Sequence, residues 1–395
     1  MWESVIEAPV TIEIKARDGE ARAGVLSTPH GQVETPTFMP VGTKGTVKGL
    51  TPGDLRSAGI GVVLGNTYHL YLRPGAALVQ EVGGLHAFTG WKGPMLTDSG
   101  GYQVFSLAHR RRISERGVEF ASVYDGSSHF LTPELATRVQ QDLGADIAMV
   151  LDECPPANAS REYHAASLRR TARWAKRCKE AHSRQDQALF GIVQGGLYPD
   201  LRGESLRRTL ELGFSGYAVG GLSVGESREE MLQTLAAVAP QLPSEKPRYA
   251  MGIGDPVGIL QVVALGVDMF DCVLPTRLAR HGAALTAGGR VNLKNASYRR
   301  DFGPLDPGCS CEACQGYSRA YLSHLVRENE LLAHRLVTLH NVHFMGELCR
   351  QARAAIFEGC YEELMKAWIA SYADPAERNG LQAWLDGCYH PTTKK

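Results

Sequence analysis

The sequence predicts an α/β protein built on a closed (β/α)8 barrel of the TIM type. Short apolar runs alternate with helix-like stretches from about residue 38 to residue 275, and this alternation is typical of a parallel sheet. We count eight such runs, the number that closes a barrel. The chain has 395 residues, of which 44% are hydrophobic, which excludes an intrinsically disordered protein and provides enough apolar material for a large core.

A small antiparallel sheet is predicted before the barrel. Residues 9–37 contain strand-like stretches such as Val10-Thr-Ile-Glu-Ile-Lys15, interrupted by Asp18-Gly19 and by Pro29-His-Gly31. Residues 1–20 lack a basic start followed by an apolar block, so no secretory signal is expected. No apolar run reaches the roughly 18 residues of a membrane span. We therefore expect a cytoplasmic protein without a membrane partner.

The predicted barrel strands are short, and each ends in glycine or a polar residue. They cover residues 38–41, 62–64, 94–96, 147–151, 189–193, 217–219, 249–251 and 269–270. A helix is predicted over residues 159–182, where apolar residues recur every three or four positions. The alternative architecture is an open doubly wound sheet, which favours a glycine-rich dinucleotide loop after the first strand. Gly42-Thr-Lys-Gly45 fits the G-x-G-x-x-G pattern of such loops poorly.

The composition changes near residue 300, where Gly, Pro and Cys become frequent and helical pattern resumes from about Tyr317. We predict three parts: residues 1–299 as the barrel with its N-terminal sheet, residues 300–345 as a metal-binding subdomain, and residues 346–395 as the last barrel helix and a C-terminal tail.

Polar residues directly follow the predicted strands, where TIM-type barrels carry their active sites. Together with the glycines at the same positions, they are Gly42, Thr43, Asn66, Asp98, Ser99, Asp152, Glu153, Gln194, Gly220, Gly221, Gly252 and Asp271. Any single Asp or Asn in such a position is also common as a helix N-cap. Three aspartates on one rim favour a functional site, because grouped carboxylates repel one another.

Paired carboxylates are the groups that cleave glycosidic bonds, one attacking or stabilising the anomeric carbon and the other protonating the leaving group. Gln194 and the Gly220-Gly221 backbone suit the edge of a flat heterocycle, and Tyr102 and Met251 could cover its two faces. The rim therefore indicates an enzyme that acts on an N-glycosidic bond.

Three cysteines in one loop, Cys309, Cys311 and Cys314, predict a metal site. The fourth ligand could be His324, His334, His340 or His343. Three Cys and one His close a tetrahedral shell, which is typical of structural zinc. The alternatives are unliganded buried cysteines and a catalytic zinc as in base deaminases, but the H-x-E and P-C-x-x-C pattern of deaminases is absent.

The charges balance over the chain, with 42 Lys and Arg against 42 Asp and Glu, so a polynucleotide partner would need a local basic patch. The segment from Arg277 and Arg280 through Arg300 is basic and lies between a rim aspartate and the metal loop. It is interpreted as a track for a phosphate backbone, with an ordinary solvated basic face as the alternative.

Several long motifs, in this order, resemble the bacterial type of tRNA-guanine transglycosylase, the queuine tRNA-ribosyltransferase family. They are Thr97-Asp-Ser-Gly-Gly-Tyr-Gln-Val-Phe-Ser106, Asp152-Glu-Cys154, Gly191-Ile-Val-Gln-Gly-Gly196, Ala218-Val-Gly-Gly-Leu222, Met269-Phe-Asp-Cys-Val-Leu-Pro-Thr-Arg277 and the Cys-x-Cys-x2-Cys loop followed by His340-Asn341. The resemblance runs from about residue 12 to residue 358. It implies an irregular barrel with a zinc subdomain and one structural Zn2+ per chain.

The resemblance also implies an activity: replacement of the wobble guanine of tRNAs with a G-U-N anticodon by preQ1 (7-aminomethyl-7-deazaguanine), in queuosine biosynthesis. By their match to the family's motifs, Asp271 is the nucleophile that holds a covalent tRNA intermediate, and Asp98 is the general acid/base that also contacts the substrate. The other implied base-binding residues are Tyr102, Asp152, Gln194, Gly221, Leu222 and Met251. Arg277 and Arg280 match basic residues near the anticodon loop. Cys309, Cys311, Cys314 and His340 match the zinc ligands.

Cys154 and Val224 resemble the bacterial pattern, whereas eukaryotic members that use the bulky base queuine carry a smaller residue at the position of Val224. Asp255 departs from the pattern, since many bacterial members have Lys there. The resemblance further implies a homodimer, for which Tyr317, Tyr321 and His324 are candidate contacts. Two alternatives stay open: a non-catalytic RNA-binding partner subunit of the same fold, and a hydrolase that releases the base to water.

Overall fold

A computed structural model describes residues 8–107, 111–373 and 376–389, and the residues it describes form a closed barrel of eight parallel strands with flanking helices. This confirms the predicted fold class. The first seven residues, part of the segment expected to hold no secretory signal, lie outside the described residues. Among the described helices, none is both long enough and apolar enough to cross a membrane.

The predicted N-terminal sheet is present. It contains β1 (Thr11–Asp18), β2 (Ala21–Thr28) and β3 (Gly31–Thr35), paired antiparallel in that order. Arg22 in β2 is buried, and its Nε donates to Oδ1 of Asp268 at 2.8 Å. Because Asp268 directly precedes a barrel strand, this ion pair fixes the sheet to the end of the barrel at which the strands begin.

The eight barrel strands lie within two residues of their predicted positions. They are β4 (Thr37–Gly42), β5 (Val63–Gly65), β6 (Met95–Thr97), β10 (Ile147–Met149), β11 (Ala188–Val193), β12 (Gly216–Val219), β13 (Arg248–Ala250) and β14 (Met269–Cys272). Between β6 and β10 the chain forms a second small sheet of three strands, β7 (Arg111–Ser114), β8 (Gly117–Ala121) and β9 (Ser128–Leu131). β14 pairs with β4, which closes the barrel.

The barrel strands are apolar along their length because both faces of a parallel barrel are covered. All six residues of β11 are buried, as are all six of β4. Strands covered on both faces appear as continuous apolar runs rather than as alternating patterns. The same property explains why the sequence locates these strands well.

Helices follow the barrel strands. They are α1 (Pro52–Ser57), α2 (Thr67–Leu72), α3 (Ala76–Glu81), α4 (Leu85–Thr89), α5 (Gly101–Leu107), α6 (Pro133–Leu143), α7 (Arg161–Ala181), α8 (Pro199–Glu211), α9 (Arg228–Val238), α10 (Pro256–Ala264) and α11 (Leu274–Arg280). The helix predicted over residues 159–182 is α7. It begins where the Ser160 hydroxyl accepts a hydrogen bond from the Tyr163 amide, an N-cap contact.

The C-terminal part contains a hairpin and five helices. These are β15 (Ala283–Thr286), β16 (Gly289–Asn292), α12 (Glu312–Gly316), α13 (Arg319–Arg327), α14 (Leu331–Glu358), α15 (Tyr361–Tyr372) and α16 (Arg378–Tyr389), and short 3-10 turns cover Ala239–Gln241 and Ala296–Arg300. The three-part division at residues 299 and 345 stays a proposal. The helix α14 runs without a break through residue 345, so it belongs both to the cysteine-rich region and to the barrel wall.

Candidate active site and metal centre

A cavity of about 380 Å3 opens at the end of the barrel where the strands finish. This end is called the rim below. The cavity brings together most of the predicted site residues. Those that line it are Asp98, Tyr102, Asp152, Gly221, Leu222, Met251, Asp271 and Arg277. Gln194 lies directly behind one of these residues, whereas Arg280 lies one helical turn of α11 beyond Arg277 and does not line the cavity.

Asp98 follows β6 and is held by four hydrogen bonds. Its Oδ1 accepts from the Thr67 amide at 2.8 Å and from the Gly100 amide at 3.2 Å. Its Oδ2 accepts from Nδ2 of Asn66 at 2.5 Å and from Nε2 of Gln103 at 2.9 Å. Since Thr67 is the first residue of α2, Asp98 also supplies the cap that Asn66 does not provide. The N-cap alternative is therefore partly realised, although the carboxylate still faces the cavity.

Asp152 and Gln194 form a second polar unit at the ends of β10 and β11. The Gln194 Nε2 donates to Oδ2 of Asp152 at 2.6 Å, and the Ser99 hydroxyl donates to Oδ1 at 3.3 Å. Oε1 of Gln194 is buried and has no hydrogen-bond partner within the part of the chain that the structure describes. Buried polar atoms are normally paired, so this unpaired acceptor beside the cavity is an exception to that rule.

Two glycines let the chain come close to this polar unit. Gly221 has φ +65°, and a Cβ on it would lie 2.3 Å from Oε1 of Gln194. A Cβ on Gly101 would lie 2.6 Å from the carbonyl oxygen of Asp152. Any side chain at either position would displace Asp152 or Gln194, which explains why glycine occupies both.

Asp271 is the third residue of β14, and two hydrogen bonds hold its carboxylate through a single oxygen. Oδ1 accepts from the Tyr249 hydroxyl at 2.5 Å and from the Gly252 amide at 3.0 Å. Two donors on one oxygen fix the plane of the carboxylate. Neither of these two bonds involves Oδ2.

The three rim carboxylates share a buried environment that favours their neutral forms. Burial raises the pKa of Asp98 to about 6, against the hydrogen bonds from Asn66, Thr67 and Gln103, and the charge of Asp271 raises it further. Burial likewise raises the pKa of Asp152 to about 6. The pKa of Asp271 is also raised by burial, which the Tyr249 and Gly252 hydrogen bonds oppose. Near neutral pH, one site can thus contain both protonated and ionised carboxyl groups.

The cavity walls offer flat and apolar surfaces for a ring. Leu222 is buried, Met251 is half-buried, and Tyr102 is 53% exposed at the opening. The Cys154 side chain also lines the cavity, and burial raises the pKa of its thiol to about 12, so the thiol is neutral. A planar heterocycle can therefore sit between apolar side chains with its edge toward Asp152 and Gln194.

Two residues at the site carry no recognisable signal in the sequence. Tyr249 lies inside an apolar strand pattern, and only the structure reveals that its hydroxyl is bound to Asp271. Glu226 lies in the loop after β12, where its carboxylate accepts hydrogen bonds from the Ser223 and Val224 amides. Glu226 thereby fixes the loop that follows Gly221 and Leu222.

Asp255, the position that departs from the bacterial pattern, is neutralised locally. Its Oδ2 lies 2.8 Å from Nη2 of Arg228 and also accepts from the Gly258 amide at 2.7 Å, as the N-cap of α10. The acidic residue thus belongs to a local ion pair and helix cap.

The predicted metal ligands lie together between the cysteine loop and α14. The Sγ atoms of Cys309, Cys311 and Cys314 lie 3.6, 3.5 and 3.3 Å from Nδ1 of His340. Among the four candidate histidines, His340 is therefore the one in the cluster, whereas His343 contacts Ser310 and His334 contacts Asn329. These four residues could hold a metal ion.

His340 is oriented for this role by its second ring nitrogen. Nε2 lies 2.6 Å from the carbonyl oxygen of Leu285 in β15. A carbonyl only accepts, so Nε2 carries the proton and Nδ1 presents its lone pair to the three sulfurs. Metal-bound histidines are commonly oriented by such a contact.

A second cluster, His30, His86 and Asp146, lies at the opposite end of the barrel. The two imidazole rings stack 3.5 Å apart and are parallel to within 9°. A metal ion lies in the plane of each imidazole that binds it, and two parallel planes at this spacing cannot share one ion. We therefore interpret this cluster as a structural contact, in which the Asp146 carboxylate also accepts from the Met95 amide.

Comparisons with known proteins identify a single family. Residues 18–374 match the family model described as queuine tRNA-ribosyltransferase. A queuine tRNA-ribosyltransferase of Pelotomaculum thermopropionicum is 56% identical over 362 residues, which are 92% of this chain and 98% of the relative. A relative of the same name from Solidesulfovibrio magneticus is 56% identical over 93% of this chain and 100% of its own length. Another, from Halothermothrix orenii, is 54% identical over 90% of this chain and 95% of its own length.

Proposed function

The chain belongs to the queuine tRNA-ribosyltransferase family, and we propose that it exchanges the wobble guanine of G-U-N tRNAs for preQ1 through a covalent intermediate on Asp271. Membership makes it a tRNA-guanine transglycosylase, a glycosyltransferase that modifies tRNA. The family acts on tRNA, so tRNA is its macromolecular partner. We place the reaction in the cytoplasm, because the substrate is tRNA.

One observation carries the proposal: Asp98, Asp152 and Asp271 line the same cavity, and Gln194 donates a hydrogen bond to Asp152 from behind it. Exchange at an N-glycosidic bond needs a nucleophile, an acid and groups that bind the base. Asp271, held through one oxygen, can serve as the nucleophile, and Asp98, with its raised pKa, can serve as the acid. Asp152 and Gln194 can bind the edge of the base. A non-catalytic partner subunit would not require either carboxyl group. Incorporation of labelled guanine into unmodified tRNA tests the activity.

In the first half of the proposed reaction, Oδ2 of Asp271 attacks C1′ of the ribose. The C1′–N9 bond breaks, its electron pair stays on guanine, and Asp98 supplies the proton that guanine carries away. The tRNA is now bound to Asp271 through an ester-like C1′–O bond. Turning the base into a barrel pocket costs little in a single-stranded anticodon loop, because the base there is not paired.

In the second half, preQ1 occupies the place that guanine leaves. Its ring nitrogen attacks C1′ and passes its proton to Asp98, while the Asp271 carboxylate departs with the electron pair of the C1′–O bond. Two displacements at one carbon retain its configuration. The Tyr249 hydroxyl and the Gly252 amide stabilise the departing carboxylate by the hydrogen bonds they already donate to Oδ1.

The covalent step should depend on pH through Asp98. Its carboxyl group is protonated below a pKa of about 6, so single-turnover capture of tRNA should slow as pH rises above 6, by up to about tenfold per unit. Asn66→Ala removes a hydrogen bond that favours the ionised form, and should move this alkaline limb to higher pH. A capture rate that stays constant between pH 6 and pH 8, at constant tRNA affinity, would remove Asp98 as the acid.

We propose preQ1 as the incoming base because Val224 narrows the cavity. Its side chain lines the cavity, and its amide is fixed to Glu226 at 2.9 Å, so the loop is not free to move outward without losing that bond. Queuine carries a bulky group on the same methylamino arm and needs more room at this wall.

Replacing Val224 by glycine should widen the pocket toward queuine. We expect kcat/KM for queuine, relative to that for preQ1, to rise by at least about tenfold. Removing one or two methyl groups from the wall of a tight pocket changes discrimination between ligands by about this much. Competition between the two bases on one tRNA measures this ratio. Val273→Gly, at a different position of the cavity lining, is the matched control and should leave it unchanged. An unchanged ratio in Val224→Gly would assign the limit to another residue.

We propose that the cysteine cluster holds one structural Zn2+ per chain. A tetrahedral zinc with Zn–S of about 2.3 Å and Zn–N of about 2.0–2.1 Å separates sulfur from nitrogen by roughly 3.5 Å. The observed separations of 3.3–3.6 Å fit this geometry. Four protein ligands leave no open position, so the ion would supply folding energy and no chemistry at the substrate.

We also propose a homodimer formed through the cysteine-rich region. The rings of Tyr317 and Tyr321 stack with centroids 5.6 Å apart, and Tyr321 is 42% exposed. Leu331, at the start of α14, is 82% exposed. Exposed aromatic and aliphatic side chains on neighbouring helices are typical of an interface, and His324 lies on the same short helix as Tyr321.

A further inference from the structure

Five cations follow one another along the rim beside the active-site cavity: Arg277, Arg280, Lys48, Lys44 and Arg73. Arg277 and Arg280 lie on α11 after β14, the two lysines follow β4, and Arg73 caps the C-terminal end of α2 after β5. The strands β14, β4 and β5 are neighbours in the barrel, in this order. The topology therefore places the five cations side by side, starting at the cavity that Arg277 lines.

None of these five cations has a carboxylate partner among the residues that the structure describes. No ion pair of any of the five is found in the described ranges 8–107, 111–373 and 376–389. Arginines on the outer helix α7 are paired instead, for example Arg169 with Glu204 and Arg173 with Glu115. In a chain whose charges balance at 42 each, this row is a local basic patch of the kind that a polynucleotide partner requires.

Four of the five cations lie close enough to their neighbours to repel one another, which indicates that they form one continuous row. Burial lowers the pKa of Lys48, and the charges of Arg280 and Lys44 lower it further. The pKa of Arg280 is lowered by burial and by Arg277. Like charges held this close cost free energy unless an anion binds among them.

Tyr124 holds the far end of the row. Nζ of Lys44 lies 5.2 Å and Cζ of Arg73 lies 4.4 Å from the centroid of its ring. The Tyr124 hydroxyl lies 3.0 Å from Nδ1 of His69 on α2, which fixes the ring. A cation–π contact positions an ammonium or guanidinium group without neutralising it, unlike a carboxylate. Two cations thus stay available within about 10 Å of each other.

Asp125, the residue after Tyr124, does not form an ion pair with Arg73. The charge of Arg73 is a minor contribution to the pKa of Asp125, which hydrogen bonds from Ser127 and Ser122 lower to about 2. Asp125 is therefore ionised, but its carboxylate accepts from the amide and hydroxyl of Ser127 rather than pairing with Arg73.

We propose that Lys44, Arg73 and Tyr124 form a phosphate-binding site that extends the tRNA contact beyond the nucleotides at Arg277 and Arg280. The inference rests on the proposed function, since it takes tRNA as the ligand. An RNA whose base enters the cavity continues along the rim, and the row of cations follows this rim away from Arg277. Phosphate is the anion that recurs at regular spacing along such a path.

The test is tRNA affinity as a function of salt for the double variant Lys44→Gln/Arg73→Gln. Losing two phosphate contacts should reduce the slope of log Kobs against log salt by about 1.4–1.8 and weaken binding roughly tenfold at physiological salt. The KM for guanine and kcat at saturating tRNA should not change. The matched control, Arg169→Gln/Lys176→Gln on α7, removes the same charge and should keep the full slope.

Two further variants separate the ring from the charges. Tyr124→Phe keeps the ring but loses the hydroxyl contact with His69, so it should lose less of the slope than Tyr124→Leu, which removes the ring from both cations. An unchanged slope in the Lys44/Arg73 variant, with exchange intact, would overturn the inference alone. A reduced slope in a protein that exchanges no base would instead contradict the proposed function. Equal losses of slope in the Lys44/Arg73 variant and in the α7 control would show only an effect of net charge, and this would also overturn the inference. Unchanged tRNA binding together with lost self-association would overturn it too, because it would assign the row of cations to contact with a second copy of the chain.

Discussion

Asp271→Asn is expected to abolish base exchange and covalent capture of tRNA while leaving the protein folded. The substitution keeps the size and the hydrogen-bond acceptor of the side chain but removes the nucleophilic oxygen that attacks C1′. We expect kcat to fall by at least about a thousandfold, equivalent to roughly 4 kcal/mol of transition-state stabilisation. Single-turnover exchange and denaturing-gel analysis of the tRNA adduct measure the two losses.

The fold should tolerate this substitution because the carboxylate is not a structural anchor. Burial raises the pKa of Asp271, so its ionised form is disfavoured where it lies. The melting temperature of Asp271→Asn should therefore equal or exceed that of the unmodified protein. Asp255→Asn is the control, since Asp255 also lies at the rim but outside the cavity lining, and asparagine retains its N-cap bond.

Two other results would contradict the assignment of Asp271 as the nucleophile. A folded Asp271→Asn protein that still forms a covalent adduct would require another nucleophile. A protein that exchanges base without any adduct would indicate direct displacement, with Asp271 stabilising the developing charge on the ribose.

Cys311→Ser is expected to lose the metal and to destabilise the C-terminal region by several kcal/mol. A closed structural site contributes its binding energy directly to folding, with apparent values of about 10–16 kcal/mol in isolated zinc fingers. Metal analysis by mass spectrometry should fall from one zinc per chain to well below one. Hydrogen exchange should accelerate most in the segment between β16 and the start of α14.

The destabilisation follows from what the cluster joins. Cys311 and Cys314 are buried in a small apolar core with Leu293, Leu322 and Val337, and His340 connects this core to β15 through the Leu285 carbonyl. Because α14 continues into the barrel wall, opening of the metal site should also loosen its contacts at residues 344–356. Loss of exchange activity should accompany loss of metal rather than precede it.

Cys388→Ser provides the matched control, as this cysteine is exposed on α16 and outside the cluster. It should retain one zinc per chain and an unchanged melting temperature. Full zinc content in Cys311→Ser, or equal destabilisation in both variants, would contradict the ligand assignment.

The sequence located the barrel strands and the rim residues because each depends on local pattern. Strands buried on both faces, such as β11, appear as uninterrupted apolar runs, and the polar residues that follow them necessarily meet at one rim. The spacing of Cys309, Cys311 and Cys314 predicted their cluster in the same way. The resemblance to a known family, rather than spacing, selected His340 and separated the roles of Asp98 and Asp271.

What the sequence missed depends on contacts between distant segments. Nothing in the pattern around Tyr249 distinguishes a core tyrosine from the donor that orients Asp271, because strand residues of both kinds look apolar. The inserted strands β7–β9 are short, and most residues of β7 and β9 are at least partly exposed, so they lack the apolar runs that mark the barrel. The association of Lys44 and Arg73 with Tyr124 joins three loops that the sequence separates by up to 80 positions.

Base exchange itself is tested most directly by incorporation of radiolabelled guanine into an unmodified tRNA whose anticodon loop contains U-G-U, with and without preQ1. We predict incorporation at the wobble position that preQ1 suppresses in proportion to its concentration. Incorporation that preQ1 leaves unchanged would contradict the proposed incoming base. No incorporation by folded, zinc-loaded protein that still binds the tRNA would contradict the account and favour a non-catalytic RNA-binding subunit.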